Sequence, residues 1–187
     1  MTGSASRRGV NAVVVPVAIR IALIVCVALP ISSIGAGNTE RSFMASLVRV
    51  VDGDSLWVRD RNGKRHELRL SAIDAPERKQ AGGDEATKAL RKLLGDQPLR
   101  VTTSQTDRYK RHIAHIRVGQ RDVSEQMLSA GHAWYYRRFK RTLTPLRREA
   151  YDRAETRAKT QRRGLWSQTK PVAPWLYRQQ QRRQQKR

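Results

Sequence analysis

Apolar and polar positions along the chain follow two periods, and each predicts its own kind of element. Phe43 to Val51 (FMASLVRVV) is apolar enough for a buried strand. Ser55–Arg59 and His66–Ser71 flank RNGK, where Asn62-Gly63 accepts positive φ at both turn positions, so these two runs predict a hairpin. Within the second run Leu68 and Leu70 share one face and Glu67, Arg69 and Ser71 the other, which turns Arg69 away from the leucines. Leu99–Ser104 and Ile113–Val118 predict two more strands. Helical spacing takes over between them. Ala86, Ala89, Leu90, Leu93 and Leu94 place a helix over Asp84 to Leu94, stopped by Gly95. Val123, Met127 and Leu128 mark a short helix ended by Gly131. Thr144 and Pro145 form a cap and first turn for a last helix, whose inner stripe is Leu146, Ala150, Ala154 and Ala158 and whose stop is Gly164.

Three strands, a helix, two strands and two helices fit a short five-stranded barrel with helices at its ends better than a sandwich, and the oligonucleotide-binding barrel has this strand number. The predicted fold class is therefore α+β: mainly β, a five-stranded OB-type barrel with three helices. It occupies residues 43–166, preceded by a polar linker over 38–42 and followed by a basic tail over 167–187. The stretch RQQQRRQQKR (Arg178–Arg187) is low in complexity and expected to be disordered. The aromatic PWLY (Pro174–Tyr177) just before it is expected to fold back onto the domain.

Composition adds a partner to this outline. Lys plus Arg number 38 against 16 Asp plus Glu, a net charge of +22. Such an imbalance is silent about fold but favours a polyanion, with nucleic acid ahead of an anionic membrane surface. Cys26 is the only cysteine, which excludes an intramolecular disulfide and a cysteine-built zinc site. Residues 1–37 read as an export segment: Arg7 and Arg8, then an apolar run whose uninterrupted part, Ile21–Leu29, has signal-peptide length, then Pro30 and small residues up to Ala36. The expected location is secreted or periplasmic, or membrane-anchored if that segment is retained.

Against so basic a background, acidic residues need a reason. Asp54 just precedes the second strand, in DGDS, and Asp74 just follows the third, which pairs with it through the hairpin. Their carboxylates can therefore approach, and hard oxygen donors of this kind suit Ca²⁺ or Mg²⁺. The four histidines, His66, His112, His115 and His132, have no ligand or triad spacing. The cluster YYRRFKR, with Tyr136 and Arg137, reads either as a helix-end surface or as a stacking and phosphate-contact strip for single strands.

The segments VVDGDSLWV, LRLSAIDAPE, DRYKRHIAHI, AGHAWYY and AETRAKTQRRGLW, in this order between Val48 and Trp166, resemble the thermonuclease family with its staphylococcal-nuclease-like barrel. The resemblance implies Asp54, Asp74 and the backbone carbonyl of Ala75 as calcium ligands, Glu77 as general base, and Arg69 and Arg111 as the grip on the scissile phosphate. It implies Tyr109 as a wall of the nucleotide pocket, with Asp52 and Asp107 as supporting acids. It further implies a calcium-dependent, sugar-nonspecific nuclease of DNA and RNA that leaves 3′-phosphate ends; a monomer with single strands preferred is the expectation for its partners. The family pattern D-x-Y-G-R reads DRYKR here, so Lys110 stands where a glycine is usual. It either strains the turn or adds a phosphate contact. The rival expectation is a non-catalytic nucleic-acid-binding OB-fold protein, which loss of a metal-binding acid or of the base would favour.

Overall fold

Strand-period alternation becomes a closed barrel in the computed structural model, which describes residues 40–185. The predicted export segment lies outside these residues. Strands β1 (Arg41–Val50), β2 (Ser55–Asp60), β3 (Arg65–Leu70), β5 (Leu99–Thr106) and β6 (His112–Val118) follow the order β3-β2-β1-β5-β6, and a parallel β3–β6 pairing closes the ring. Short strands β4 (Ile73–Asp74) and β8 (Trp134–Tyr135) pair with each other, and β7 (Arg121–Asp122) extends the edge of β6. Helices α1 (Gly83–Leu94), α2 (Val123–Ser129), α3 (Pro145–Thr160) and α4 (Pro174–Gln184) complete the α+β fold. The barrel interior is filled by every second residue of its strands: Leu56 and Val58, Leu68 and Leu70, Leu99 and Val101, Ala114 and Ile116, all fully buried.

Four expectations are corrected. The first strand begins at Arg41, inside the expected linker, and buries only Ala45 and Val50 well, because a bulge between Leu47 and Arg49 breaks the alternation and leaves Val48 exposed. The hairpin turn has positive φ at Gly63 and not at Asn62; Asp60 accepts from Gly63 N and its own N–H bonds the Lys64 carbonyl, closing a longer loop. On α3, Thr144 caps as expected by accepting from Arg147 N, but Leu146 is exposed. The inner face is Tyr151, Ala154, Glu155 and Ala158, a stripe spaced i, i+3, i+4, i+7 that includes a carboxylate. The fourth concerns the tail: Pro174–Gln184 is a helix, so there are four α-helices among the described residues instead of three, and the segment from Arg178 to Gln184 is ordered within it.

Glu155 earns its burial through its partners. Its carboxylate accepts from the Tyr135 backbone N–H at 2.9 Å, from Arg137 at 2.8 Å and from Lys159 at 2.9 Å, and although burial pushes its pKa up, these bonds hold it below the ordinary value. No described helix is long and apolar enough to cross a membrane.

His115, on β6, is buried with its Nδ1 unpaired; burial, reinforced by Arg147 and opposed by Asp122, pushes its pKa from 6.5 down to about 4. The unfolded chain takes up a proton below pH 6.5 that the folded protein refuses, so this contribution is complete above pH 6.5 and is lost as the pH falls towards 4. Urea unfolding is expected to show His115→Gln reducing the stability lost between about pH 7 and about pH 4.5 by ~2 kcal/mol. An identical loss in the variant would contradict this assignment.

Candidate active site

Barrel closure decides where the charged residues meet. Ser55 lies opposite Arg69 in the β2–β3 ladder, and the Asp54 carbonyl accepts from Leu70 N at 2.8 Å, so Asp54 sits beside the end of β3. The parallel β3–β6 register pairs Arg69 with Ile113, which brings Arg111, just ahead of β6, to the same end of the barrel. Strand β4 then carries Asp74 back across this end, held by its pairing with Trp134. The loop after it, through Pro76, brings Glu77.

The five expected residues converge. Arg69 bonds Asp74 Oδ1 at 2.9 Å and lies 3.2 Å from Asp54 Oδ2, while its other nitrogen donates to the Ile73 carbonyl at 3.0 Å. Asp54 is buried; its Oδ2 accepts from Ala75 N at 3.0 Å and its Oδ1 from the Ser55 hydroxyl at 2.8 Å. Arg111 donates to that same Ser55 hydroxyl at 3.2 Å, which links it to the acids through one oxygen. Ser55 is thus a hinge of the site that sequence reading passed over. Its only signal was its place beside Asp54 in DGDS.

Asp107 builds the turn that aims Arg111. One of its oxygens accepts from the backbone N–H groups of Tyr109 and Arg111, and the other from Arg111 Nε at 2.9 Å. Partial burial raises its pKa, but the bonds from Arg111 and Tyr109 outweigh this and hold it below the ordinary value. Tyr109 is exposed, with the Arg111 guanidinium 5.4 Å from its ring centre. Lys110 has φ 65°, the left-handed conformation that glycine would adopt without strain.

Carboxylate repulsion marks where positive charge belongs. Asp52 accepts from Asp54 N at 3.0 Å, and burial together with the neighbouring Asp54 charge pushes its pKa to about 6. Burial and Asp54 also push Asp74 up, against the pull of Arg178 and Arg69. Asp54 and Asp74 fit a hard divalent ion, the repulsion between them being what such an ion relieves. Among the described residues no group of three His, Cys, Asp or Glu side chains is disposed to hold a metal, so backbone oxygens, such as the Ala75 carbonyl, and water would have to complete the shell.

Three features were not visible in the sequence. Gly53 is one: a Cβ there would fall 2.6 Å from the Ala75 Cβ and 2.7 Å from the Ala86 Cβ, so only glycine lets the Asp54 loop lie against α1 and the residue that follows β4. Gln80 is another. It is buried, its side-chain oxygen accepts from Glu77 N at 3.2 Å, and its amide donates to the Val172 carbonyl at 2.6 Å. The third is Arg178, from the expected disordered stretch, which bonds Asp74 and Glu77. Tyr136 and Arg137 make no side-chain hydrogen bond to the five converging residues. Tyr136 stacks on Trp175 with ring centres 5.2 Å apart, and Arg137 pairs with Asp152 and Glu155.

The profile of the family described as "Staphylococcal nuclease homologue" matches residues 67–168. An "Uncharacterized endonuclease" of Escherichia coli O157:H7 is 37% identical over 135 residues, covering 71% of this chain and 82% of that protein. "Protein ParB" of Escherichia coli is 35% identical over 144 residues, covering 72% and 78% respectively. "Probable staphylococcal-like nuclease CAN3" of Oryza sativa subsp. japonica is 34% identical over 119 residues, 64% of this chain but 30% of the longer plant protein.

Lys110→Gly is expected to stabilise the fold by about 0.5–1 kcal/mol, the left-handed strain relieved exceeding the added chain entropy. Urea denaturation checks the sign; a less stable variant would show that the Lys110 side chain makes a compensating contact.

Proposed function

The chain belongs to the staphylococcal nuclease family and is a nuclease, a phosphodiester hydrolase acting on nucleic acid, and from that premise we propose a calcium-dependent, sugar-nonspecific enzyme that cuts DNA and RNA to leave 3′-phosphate ends. The observation that carries this reading is the convergence of Asp54 and Asp74 with Arg69 and Arg111 at one end of the barrel, with Glu77 tied to Asp74 through the Arg178 guanidinium they share.

Each residue has a task that its surroundings support. Asp54, Asp74 and the Ala75 carbonyl would hold Ca²⁺, which when bound supplies Lewis-acid stabilisation of charge on the phosphoryl oxygens. Arg69 approaches from β3 and Arg111 from the turn before β6, and their planar forks suit two phosphate oxygens at a time. Glu77 takes a proton from water as its oxygen bonds to phosphorus. The bond from phosphorus to the 5′ oxygen breaks, that oxygen leaves as a hydroxyl after taking a proton from solvent water, and the phosphate stays on the 3′ oxygen. Water is the nucleophile throughout, so a ribose 2′-hydroxyl is not needed and either sugar serves. Exposed Tyr109 offers a ring on which an unpaired base can stack, in keeping with a preference for single strands by a monomeric enzyme, and Lys110 adds positive charge beside it.

With denatured DNA as substrate, cutting is expected with Ca²⁺ and none with chelator, and the product ends should lose phosphate to a 3′-phosphatase. Arg69→Ala and Arg111→Ala should each lower kcat by ~10²–10³-fold, and Glu77→Gln by ~10²–10⁴-fold. Turnover that persists in chelator would remove the metal role, and binding under calcium without cutting by the wild type would return the chain to the non-catalytic reading. We place the enzyme outside the cytoplasm on the strength of residues 1–37; N-terminal sequencing of the mature protein should find a new start near Ala36 if that segment is cut, and an intact Met1 would favour the anchor.

A further inference from the structure

Arg178 holds the acids of the active site in a grip that leaves little room for a second cation. Its Nη2 donates to Asp74 Oδ2 at 2.8 Å and its Nη1 to Asp74 Oδ1 at 3.2 Å, a forked bond to both oxygens of one carboxylate. The same Nη1 donates to Glu77 Oε1 at 2.7 Å. Asp74 Oδ1 is shared with Arg69, so this carboxylate faces two guanidiniums.

The two arginines are not held alike. Arg69 is strand-borne, donates to the Leu70 and Ile73 carbonyls as well, and its side chain is 15% exposed. All the side-chain hydrogen bonds of Arg178 go to Asp74 and Glu77, and it is 35% exposed. Arg178 can therefore turn outward without leaving backbone oxygens unpaired, and Arg69 cannot.

Its place over the acids is built into the fold. Trp175, one turn earlier on the same face of α4, lies flat on Tyr136 and edge-on to Trp134, with ring centres 5.2 and 5.7 Å away. Ala173 and Pro174 are buried at the start of the helix, and Gln80 ties the preceding Val172 to the loop that carries Glu77. The Tyr177 hydroxyl donates to the Lys79 carbonyl at 3.4 Å. A helix seated in this way delivers its guanidinium to one spot.

We infer that Arg178 is an internal competitor for the divalent cation, a positioning residue that occupies Asp74 and the base Glu77 together and must release both before the ion can bind. The inference rests on the reading of Asp54 and Asp74 as metal ligands. Its physical content is that a guanidinium and a divalent ion need the same Asp74 lone pairs and repel each other at that range. One exchange then does two things: the entering ion takes Asp74, and Glu77 loses the donor that occupied its oxygen. The affinity of the site for the ion is thereby set from α4, outside the barrel.

Calorimetric titration of CaCl₂ into the full chain tests this without an activity assay, comparing wild type, Arg178→Gln, Arg178→Lys and Asp74→Asn. Arg178→Gln is expected to tighten the calcium Kd by about 10-fold, within the usual range of coupling between sites. Arg178→Lys, which keeps the charge but loses the fork, should fall between it and wild type. In thermal unfolding the Gln variant should have a lower metal-free Tm and a larger rise in Tm on adding calcium. A merely structural role would lower the metal-free Tm and leave the Kd unchanged or weaker, and that result overturns the proposal. If Arg178→Gln does not fold, the Lys variant carries the same test, and a Kd no tighter than wild type overturns it. Calcium binding by Asp74→Asn as tight as wild type, or absent in every protein, would remove the metal reading itself; equal binding by wild type and Arg178→Gln alone would remove only the competitor.

Discussion

Mutual neutralisation of buried acids and arginines at one end of the barrel is the interaction on which this structure depends. Asp54 and Asp74 are buried within reach of each other, an arrangement that carboxylates alone would not tolerate. Arg69, reaching both, makes it possible, and Asp54 and Asp74 in turn hold Arg69 charged although burial opposes that. The site is thus a balance of opposite charges, and the rest of the chain serves to keep their geometry fixed. The parallel β3–β6 closure supplies the registration, Gly53 the close approach and Asp107 the turn before β6.

Most of the barrel was legible because it rests on local periodicity. Leu68 and Leu70 against Arg69, and Thr144-Pro145 ahead of α3, are patterns that physics translates directly into a buried face and a capped helix. The site was legible for a different reason, the scarcity of acids in a basic chain, and the resemblance gave each one a role. What escaped depended on partners distant in sequence. Glu155 looks like a surface residue until Tyr135, Arg137 and Lys159 are brought around it. Arg178 looks like one more charge in a polar tail, since its low-complexity context hides that Trp175 lies one helical turn before it and finds an aromatic seat.

That seat also accounts for Tyr136. The cluster around it reads from sequence either as a helix-end surface or as a stacking strip, and in the fold the Tyr136 ring stacks on Trp175 of α4, with Phe139 packed edge-on at 5.2 Å. The aromatic residues around YYRRFKR thus join the C-terminal helix to the barrel. Tyr109, by contrast, stands exposed beside Arg111.

The closing ladder between β3 and β6 carries a consequence for biogenesis. Chains leave the ribosome, or thread a membrane, from the amino end, so the strand bearing Arg69 is free well before its parallel neighbour exists. Pairings between segments so far apart along the chain form late and slowly. The site of this nuclease therefore cannot assemble until β6 has emerged to lie beside β3, because until then Arg69 and Arg111 are not in the same place.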